Sequence, residues 1–275
     1  MRIDITTDAA RLLVEAEPFL QCDPLRHTVI ASTLTNLISG RSGSMVTQFL
    51  SVRDQAGVVV GLAQSTNGAI YLGELPPHSI SAVADAFVAS DTTARSVEGE
   101  RSDAALFAEH WSKTTRGTYR EKYTTRLFRL GSLHLPEAPG APRQATVDDL
   151  DPCLAMLENF RVEIDGPRRL DETAVRNRLE AGASWLWEHN GTPVTLVARQ
   201  TAVFGWARIG PVYTPPPFRG NGFASALTAT VAGRIRAEGA DVCLFTDLAN
   251  PTSNKIYQRI GFEPVRDFVH YTLTA

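Results

Sequence analysis

The chain has 275 residues, 43% of them hydrophobic and 21% charged, with a formal net charge of −3 and an isoelectric point near 6.1. This size and composition predict one large or two ordinary globular domains. The slightly acidic charge argues against a nucleic-acid partner, and the sequence lacks the run of about 18 apolar residues that indicates a membrane span.

Targeting signals and cysteines point to the same environment. The N-terminus, Met1 to Asp4, lacks the apolar core of a secretory signal peptide. Cys22, Cys153 and Cys243 are odd in number and far apart, and neither they nor the histidines show the spacing of a disulfide framework or a metal site. We therefore expect a cytoplasmic protein without a bound metal.

The first half begins with helices and continues with strands. Apolar residues at three- and four-residue spacings indicate helices within 6–39, with a break at Pro24. The pattern then predicts strands at 49–52, 58–63 and 69–72, a helix at 80–88, a strand at 96–100, a helix at 103–112 and a strand at 119–130.

Residues 136–142 form the best candidate linker, because three prolines and a glycine in seven positions cannot continue a helix or a strand. We therefore predict one domain at 1–135 and a second at 143–275.

The second half repeats the order of elements, although no repeat is visible in the residues themselves. The pattern predicts helices at 148–161 and 171–181, strands at 184–188, 194–199 and 203–212, a helix from 223, a strand at 242–246, a helix opened by Asn250, and strands at 262–265 and 268–273.

Between the strand at 203–212 and the helix from 223 lies the segment Arg219-Gly220-Asn221-Gly222-Phe223-Ala224. The first turn of a helix leaves backbone N–H groups unpaired and carries partial positive charge. Two glycines admit an anion closely, and the arginine adds a full charge. The segment therefore predicts a pyrophosphate cradle. The equivalent place in the first half, 75–79, has neither a glycine pair nor an arginine, so we expect no cradle there.

Other interpretations of this turn remain to be weighed. A Walker A loop fails because Ser225 is not preceded by lysine. A dinucleotide fingerprint is matched at Gly220 and Gly222 but not at Ser225; Asp241 is suitably spaced, yet three prolines separate the strand from the glycines. The structural alternative is a glycine turn that joins a strand to a helix and binds no ligand. The pattern Arg-x-x-Gly-x-Ala fits Arg219, Gly222 and Ala224.

A second motif follows at 250–262. Asn250 suits an N-cap, Pro251 the first helical position and Gly261 the C-terminal stop. Tyr257 falls between the apolar positions of this helix, so its phenol is expected to face inward, either as a functional group or as a core tyrosine bonded to a carbonyl.

Together, the Arg-x-x-Gly-x-Ala turn and the segment N-x-x-S-x-x-I-Y-x-x-x-G-F resemble the GNAT superfamily of N-acetyltransferases, over roughly residues 142–275. The Gly-Pro-Val-Tyr-Thr-Pro-Pro stretch before the turn resembles its FR47-like branch. The resemblance implies an α/β (α+β) fold of two tandem GNAT-like domains, with mixed sheets flanked by helices. It further implies that the first domain is a degenerate copy without cofactor.

The resemblance also implies acetyl-CoA as the acyl donor, an amine of a small molecule or peptide as the acceptor, and no membrane partner. The Arg219 side chain and the backbone N–H groups of Asn221, Gly222, Phe223 and Ala224 would hold the pyrophosphate, and Gly220 would also belong to the cofactor site. Val212, Tyr213 and Asn250 would contact the pantetheine arm, and Ser253 would also belong to the cofactor site. Tyr257 would protonate the departing thiolate as general acid and would also touch the cofactor.

The general base is not identified by the resemblance, because residues 205–209 carry no glutamate where many members of the superfamily have one. Glu163, Glu188 and water remain the options, with Glu163 as the named candidate. Trp185, Trp187, Trp206 and Phe204 line an acceptor pocket or belong to the core. A non-catalytic acyl-CoA sensor remains the alternative to an enzyme, and a monomer or a homodimer is expected.

Overall fold

The computed structural model describes residues 1–41, 46–90, 93–164 and 170–275. In the first half the elements are β1 (Arg2–Thr6), α1 (Ala9–Cys22), α2 (Thr28–Ile38), β2 (Thr47–Arg53), β3 (Val59–Thr66), β4 (Ala69–Leu72), α3 (Ile80–Ala89), β5 (Ser96–Glu100), α4 (Arg101–Thr115) and β6 (Thr118–Leu130). In the second half they are β7 (Ala141–Gln144), α5 (Leu150–Glu163), α6 (Glu172–Glu180), β8 (Ser184–His189), β9 (Thr192–Arg199), β10 (Trp206–Tyr213), α7 (Phe223–Ala237), β11 (Asp241–Asp247), α8 (Pro251–Ile260) and β12 (Phe262–Thr274).

The described strands form one mixed sheet in the order β1-β2-β3-β4-β5-β12-β6-β11-β10-β9-β8-β7. Two neighbouring pairs are parallel, β4 with β5 and β10 with β11, and they occupy equivalent places in the two halves. The halves exchange strands at the centre. β12 of the second half pairs with β5, and β6 of the first half pairs with β11.

Helices cover both faces of this sheet. On the face called here the α7 face, α3, α4, α7 and α8 pack on apolar side chains that include Ala207 and Ile209 of β10. On the opposite face, the α2 face, α1, α2, α5 and α6 cover the side chains that alternate with these. Among the described residues, no helix has both the length and the apolarity needed to cross a bilayer.

The predicted architecture is confirmed as a mixed α/β fold, but its two halves share one sheet. The α7 stripe illustrates why the sequence pattern worked, since apolar residues four apart are all buried on one side of this helix: Phe223, Leu227, Val231 and Ile235. The domain bounds 1–135 and 143–275 remain a prediction. β6 pairs with β11 of the second half and β12 pairs with β5 of the first, so the two halves meet within one sheet.

Four details differ from the predicted elements. β1 is not in the prediction, and β7 begins at Ala141, inside the predicted linker. Both are short and lie at the ends of the sheet, where one side of the strand has no neighbour and the hydrophobic pattern is weak. β10 begins at Trp206 rather than 203, because Phe204 and Gly205 form a turn with positive φ. The strands expected at 262–265 and 268–273 are one strand, β12, with an irregularity after Pro264.

Candidate active site

The glycine turn before α7 presents backbone donors to open space. Gly220 and Gly222 have φ of +84° and +80°, a conformation that favours glycine. A Cβ at Gly220 meets nothing within 4 Å, and one at Gly222 meets only Ala138 and Glu137, at 3.8 Å. The Asn221 side chain donates to the carbonyls of Phe218 (3.1 Å) and Arg219 (3.2 Å), which holds the turn in shape.

The amides of this turn are available to a ligand. Within the described residues, the N–H groups of Gly220, Asn221 and Gly222 donate to no protein acceptor. The first N–H groups of α7, at Phe223 and Ala224, follow directly and have no intrahelical carbonyl to reach. This row of donors at the positive end of a helix fits an anion such as a pyrophosphate.

The Arg219 side chain does not point freely into the turn. Its Nη2 donates to both oxygens of Glu163, at 2.7 and 2.8 Å, and its Nε donates to the Thr214 carbonyl at 2.9 Å. The Tyr213 hydroxyl also donates to Glu163, at 3.2 Å. The structure thus brings three predicted site residues together, and it puts the carboxylate of Glu163 next to the arginine of the turn.

The parallel strands β10 and β11 separate beside this turn. Their described pairs run from Trp206 with Asp241 to Ile209 with Leu244 and end there. A cis peptide follows at Gly210-Pro211, and the pairing of β10 with β9 shifts register between Ile209 and Val212. At Val212 and Tyr213, the edge of β10 that faces β11 has no strand partner among the described residues. We call this opening the fork.

The first turn of α8 lies just after the end of β11. The Asn250 Oδ1 accepts the N–H of Ser253 at 3.0 Å, which confirms the predicted N-cap. The Asn254 side-chain amide donates to the carbonyls of Asn250 (2.8 Å) and Asp247 (3.0 Å) and so joins α8 to the end of the strand. Asn250 and Ser253 are therefore held next to β11, the strand on the other side of the fork.

Tyr257 lies on the α7 face in the core of the second half, 8% exposed, with its ring edge-on to Phe262 at 6.0 Å. In the described part of the chain its hydroxyl makes no hydrogen bond, so the expected bond of a core tyrosine to a carbonyl is not seen. Burial raises the pKa of this hydroxyl to about 12. The phenol is therefore protonated at neutral pH, and its proton has no acceptor among the described residues.

The remaining candidates are engaged elsewhere. Glu188 accepts from Arg143 Nε at 2.6 Å, near the β7 edge of the sheet. Trp185 and Trp187 are core residues, 7% and 5% exposed, whereas Trp206 and Phe204 are partly buried against α1 and α2. Cys243 is buried, which raises the pKa of its thiol to about 11. The described residues contain no cluster of three metal-ligating side chains.

One residue near the fork escaped the sequence analysis. Arg208 lies on β10, directly before the last pair with β11, and its side chain reaches Ser32 of α2 on the α2 face. The signal was a charged residue in an apolar strand, but its partner could not be read because Ser32 is 176 residues away.

Comparison with known proteins finds a family match in the second half of the chain. Residues 190–270, which contain the glycine turn, the fork and α8, match the family model described as FR47-like protein. No curated protein sequence matches the chain.

Solved structures match the whole chain at low identity. A GCN5-related N-acetyltransferase from Sphaerobacter thermophilus is 16% identical, with 98% of this chain and 95% of that one covered and a TM-score of 0.64. A GNAT-family acetyltransferase from Colwellia psychrerythraea is 12% identical, with both chains fully covered (100% each) and a TM-score of 0.60. A tandem GNAT protein from the clavulanic acid biosynthesis pathway is 12% identical, with 98% of each chain covered and a TM-score of 0.60. These matches and the FR47-like region confirm the resemblance predicted from the sequence.

Proposed function

From a tandem GNAT fold with an FR47-like region, we infer that this protein is an acetyl-CoA-dependent N-acetyltransferase acting on an amine of a small molecule or peptide. One observation carries the proposal: amides of the glycine turn that have no acceptor among the described residues lie next to the fork, and the largely buried side chain of Tyr257 lies on the neighbouring helix α8. The similar proteins from Sphaerobacter and Colwellia are themselves described as acetyltransferases.

We propose that the pyrophosphate of acetyl-CoA binds the N–H groups from Gly220 to Ala224. The available donors, the positive φ of both glycines and the open space around them support this assignment. Arg219 would contribute its guanidinium, which retains donors beyond those used by Glu163 and Thr214. A pyrophosphate bound here must compete with the Glu163 carboxylate for this cation.

The pantetheine arm would lie in the fork. The unpaired edge at Val212 and Tyr213 offers backbone groups to an amide-containing chain, in the way that a strand edge pairs with an added strand. Asn250 and Ser253 flank the fork from the α8 side. The cap uses the side-chain oxygen of Asn250, and its amide nitrogen, which has no partner among the described residues, would donate to a ligand carbonyl.

Acetyl-CoA supplies an acetyl group already activated as a thioester. Tyr257 is the proposed general acid, because its side chain is largely buried and its hydroxyl is protonated and without a described protein acceptor. Its proton would go to the departing sulfur as negative charge develops there, which is the moment when a neutral phenol becomes a useful donor.

For the base we assign water. Glu163 is ion-paired with Arg219 and accepts from Tyr213, and Glu188 is paired with Arg143 near the far end of the sheet. Neither carboxylate is free to take a proton from an amine in the fork. We propose instead that the negative charge of Glu163 partly neutralises Arg219 and so weakens the attraction of the site for pyrophosphate.

The same engaged carboxylates favour the second candidate, a non-catalytic acyl-CoA sensor. Such a protein would bind acetyl-CoA at the turn but would acetylate no amine. Turnover of any amine in proportion to enzyme concentration excludes it.

The experiment that tests the proposal is calorimetric titration of acetyl-CoA, CoA and NAD into the full-length protein. We expect acetyl-CoA and CoA to bind at one site per chain and NAD not to bind. Binding of NAD in preference to CoA would support the dinucleotide interpretation instead. Absence of CoA binding would overturn the proposed function, and a stoichiometry of two would show that the first half also binds.

A further inference from the structure

The α2 face of β10 carries a partly buried cation, Arg208, close to the fork. Ala207 and Ile209 point to the α7 face, so Arg208 between them points to the opposite one, where its Nη2 donates to Ser32 Oγ at 3.2 Å. Tyr257, α7 and α8 occupy the α7 face. An acceptor that meets the acetyl group in the fork from the side opposite Tyr257 therefore lies on the α2 face, near Arg208.

Arg208 lacks a counterion among the described residues. The bond to Ser32 is its single side-chain hydrogen bond there, and no described carboxylate lies within 4 Å of it. A guanidinium has five N–H donors, and leaving such a group partly buried without a counterion is unfavourable. Burial accordingly lowers the pKa of Arg208 from its ordinary value. The negative charge of Glu98, a described carboxylate, raises this pKa but does not offset the effect of burial.

Glu98 is held by other partners. It accepts from the Thr125 hydroxyl at 3.1 Å and lies 3.7 Å from His270 Nδ1. Its charge therefore reaches Arg208 through space, without a direct ion pair.

Two more arginines face the same region from α5 and α6. Arg178 is half-buried, and its pKa is lowered first by burial and then by repulsion from Arg208 and Arg161. In the part of the chain that the structure describes, neither Arg161 nor Arg178 has a side-chain hydrogen bond or an ion pair. Arg208 and Arg161 thus lie within electrostatic reach of Arg178, and none of the three arginines forms an ion pair with a described residue.

Two other partly buried arginines of this protein each form an ion pair with a carboxylate. Arg143 forms two bonds of 2.7 Å to Asp149, and Arg126 forms bonds of 2.6 and 2.8 Å to Asp267. The fold can thus supply carboxylates to its arginines. We call the exception, Arg161, Arg178 and Arg208, the arginine cluster.

We propose that the arginine cluster binds a carboxylate of the acceptor, so that the substrate is an amine bearing a carboxylate, such as an amino acid or the C-terminal residue of a short peptide. This inference rests on the proposed function. The two oxygens of a carboxylate match the planar pair of N–H donors of the Arg208 guanidinium. The negative charge of Glu98, within electrostatic reach, complements the ammonium of a zwitterion and disfavours a phosphate dianion.

The test measures acetyl-CoA-dependent release of thiol with matched acceptors. L-amino acids are compared with their α-carboxamides, and ethanolamine with phosphoethanolamine. Because an amino acid and its carboxamide differ in amine pKa, the deciding quantity is the change in their kcat/KM ratio between wild type and R208Q. We expect R208Q to raise KM for the acids by about 10- to 100-fold, the loss of a charged hydrogen-bonded pair, and to leave the carboxamides unchanged.

R178Q provides a second variant in case R208Q does not fold, with the same direction and a smaller expected effect. R176Q is the control, because Arg176 lies on the same helix but is exposed and paired with Glu172 at 3.1 Å. It should leave both acceptor classes unaffected. Calorimetric titration of the same acids and carboxamides into the CoA-saturated protein gives a readout that does not depend on turnover.

Equal effects of R208Q on acids and carboxamides, or equal binding of both to wild type, would overturn the inference while leaving acetyl transfer intact. Preference for phosphoethanolamine would overturn the carboxylate assignment. A protein that does not bind acetyl-CoA contradicts the proposed function itself, so the two failures are distinct.

Discussion

The two halves of the molecule place the same strand, turn and helix at equivalent positions, yet their turns differ. In the second half the turn leaves the amides of Gly220, Asn221 and Gly222 without an acceptor among the described residues. In the first half, between β4 and α3, Pro76 and Pro77 have no N–H to offer. The N–H and hydroxyl of Ser79 both donate to the Pro76 carbonyl, at 2.8 and 2.7 Å. In the first turn, both donors of Ser79 are thus satisfied internally.

The neighbouring strands differ in the same sense. β4 and β5 are parallel from Ala69 with Ser96 to Tyr71 with Glu98, as β10 and β11 are. Beyond that point Leu72 packs over Gly99, where an added Cβ would lie 3.0 Å from the Leu72 Cβ. Leu72 is 1% exposed, so the place of the fork is filled by core. The comparison indicates that this topology can bind a cofactor only where the backbone N–H groups of the turn lack protein acceptors and the two parallel strands separate.

The largest predicted effect concerns the proton donor, which the second half alone supplies, since α4 contains no tyrosine and α8 carries Tyr257. We expect Tyr257→Phe to lower kcat by roughly 10²- to 10⁴-fold, the usual range for a general acid, with CoA affinity almost unchanged. Single-turnover kinetics and calorimetry separate the two. Tyr119→Phe, at an exposed position, is the control. A fully active Tyr257→Phe enzyme would make Tyr257 a core residue.

The second prediction concerns pH. With water as base, kcat/KM for an alkylamine should rise about tenfold per pH unit from pH 7 toward the ammonium pKa near 10.4. A general acid works in its protonated form, and burial raises the pKa of Tyr257 to about 12. The profile should therefore show no decrease below pH 11. A plateau starting near pH 6 would instead indicate a protein base.

The third prediction separates the two turns. Gly222→Val adds a branched side chain at a φ of +80° and obstructs the amides, so we expect CoA affinity to fall by about 10- to 100-fold. The matched variant His78→Val alters an exposed residue of the first turn and should leave affinity unchanged. Circular dichroism and melting temperatures establish that both variants fold. Loss of affinity in His78→Val would mean that the first half takes part in binding.

The smallest effect concerns the pair between Glu163 and Arg219. The side chains are 42% and 48% exposed, so the pair contributes only about 0–1 kcal/mol. Glu163→Gln removes a negative charge beside the pyrophosphate site, and we expect CoA to bind roughly 2- to 5-fold more tightly with kcat unchanged. A large decrease in kcat with unchanged affinity would identify Glu163 as the general base after all.

The parts of the site that the sequence predicted are those in which the signal is local. The α7 stripe, the turn and the Asn250 cap each lie within a few residues of the chain, where spacing and capping preferences act directly. The FR47-like match over 190–270 covers the same stretch.

The parts that the sequence did not predict depend on distant residues. The Arg219 side chain meets Glu163 across 56 positions, and nothing near either residue indicates the other. The arginine cluster joins two helices to a strand and appears only when the sheet brings them together. The exchange of β6 and β12 has the same origin, because a hydrophobic pattern identifies a strand but not its neighbour.

The exchanged strands also decide when this protein can fold on the ribosome. Arg126 of β6 and Asp267 of β12 are 141 positions apart in sequence yet form a bidentate ion pair in the middle of the sheet. While the nascent chain has emerged only as far as α8, β5 and one side of β6 are open edges of the kind that pair with other chains. The first half therefore cannot complete its sheet during synthesis, and late, long-range closure of this kind is slow. We expect the nascent protein to depend on chaperones that shield these edges until β12 arrives.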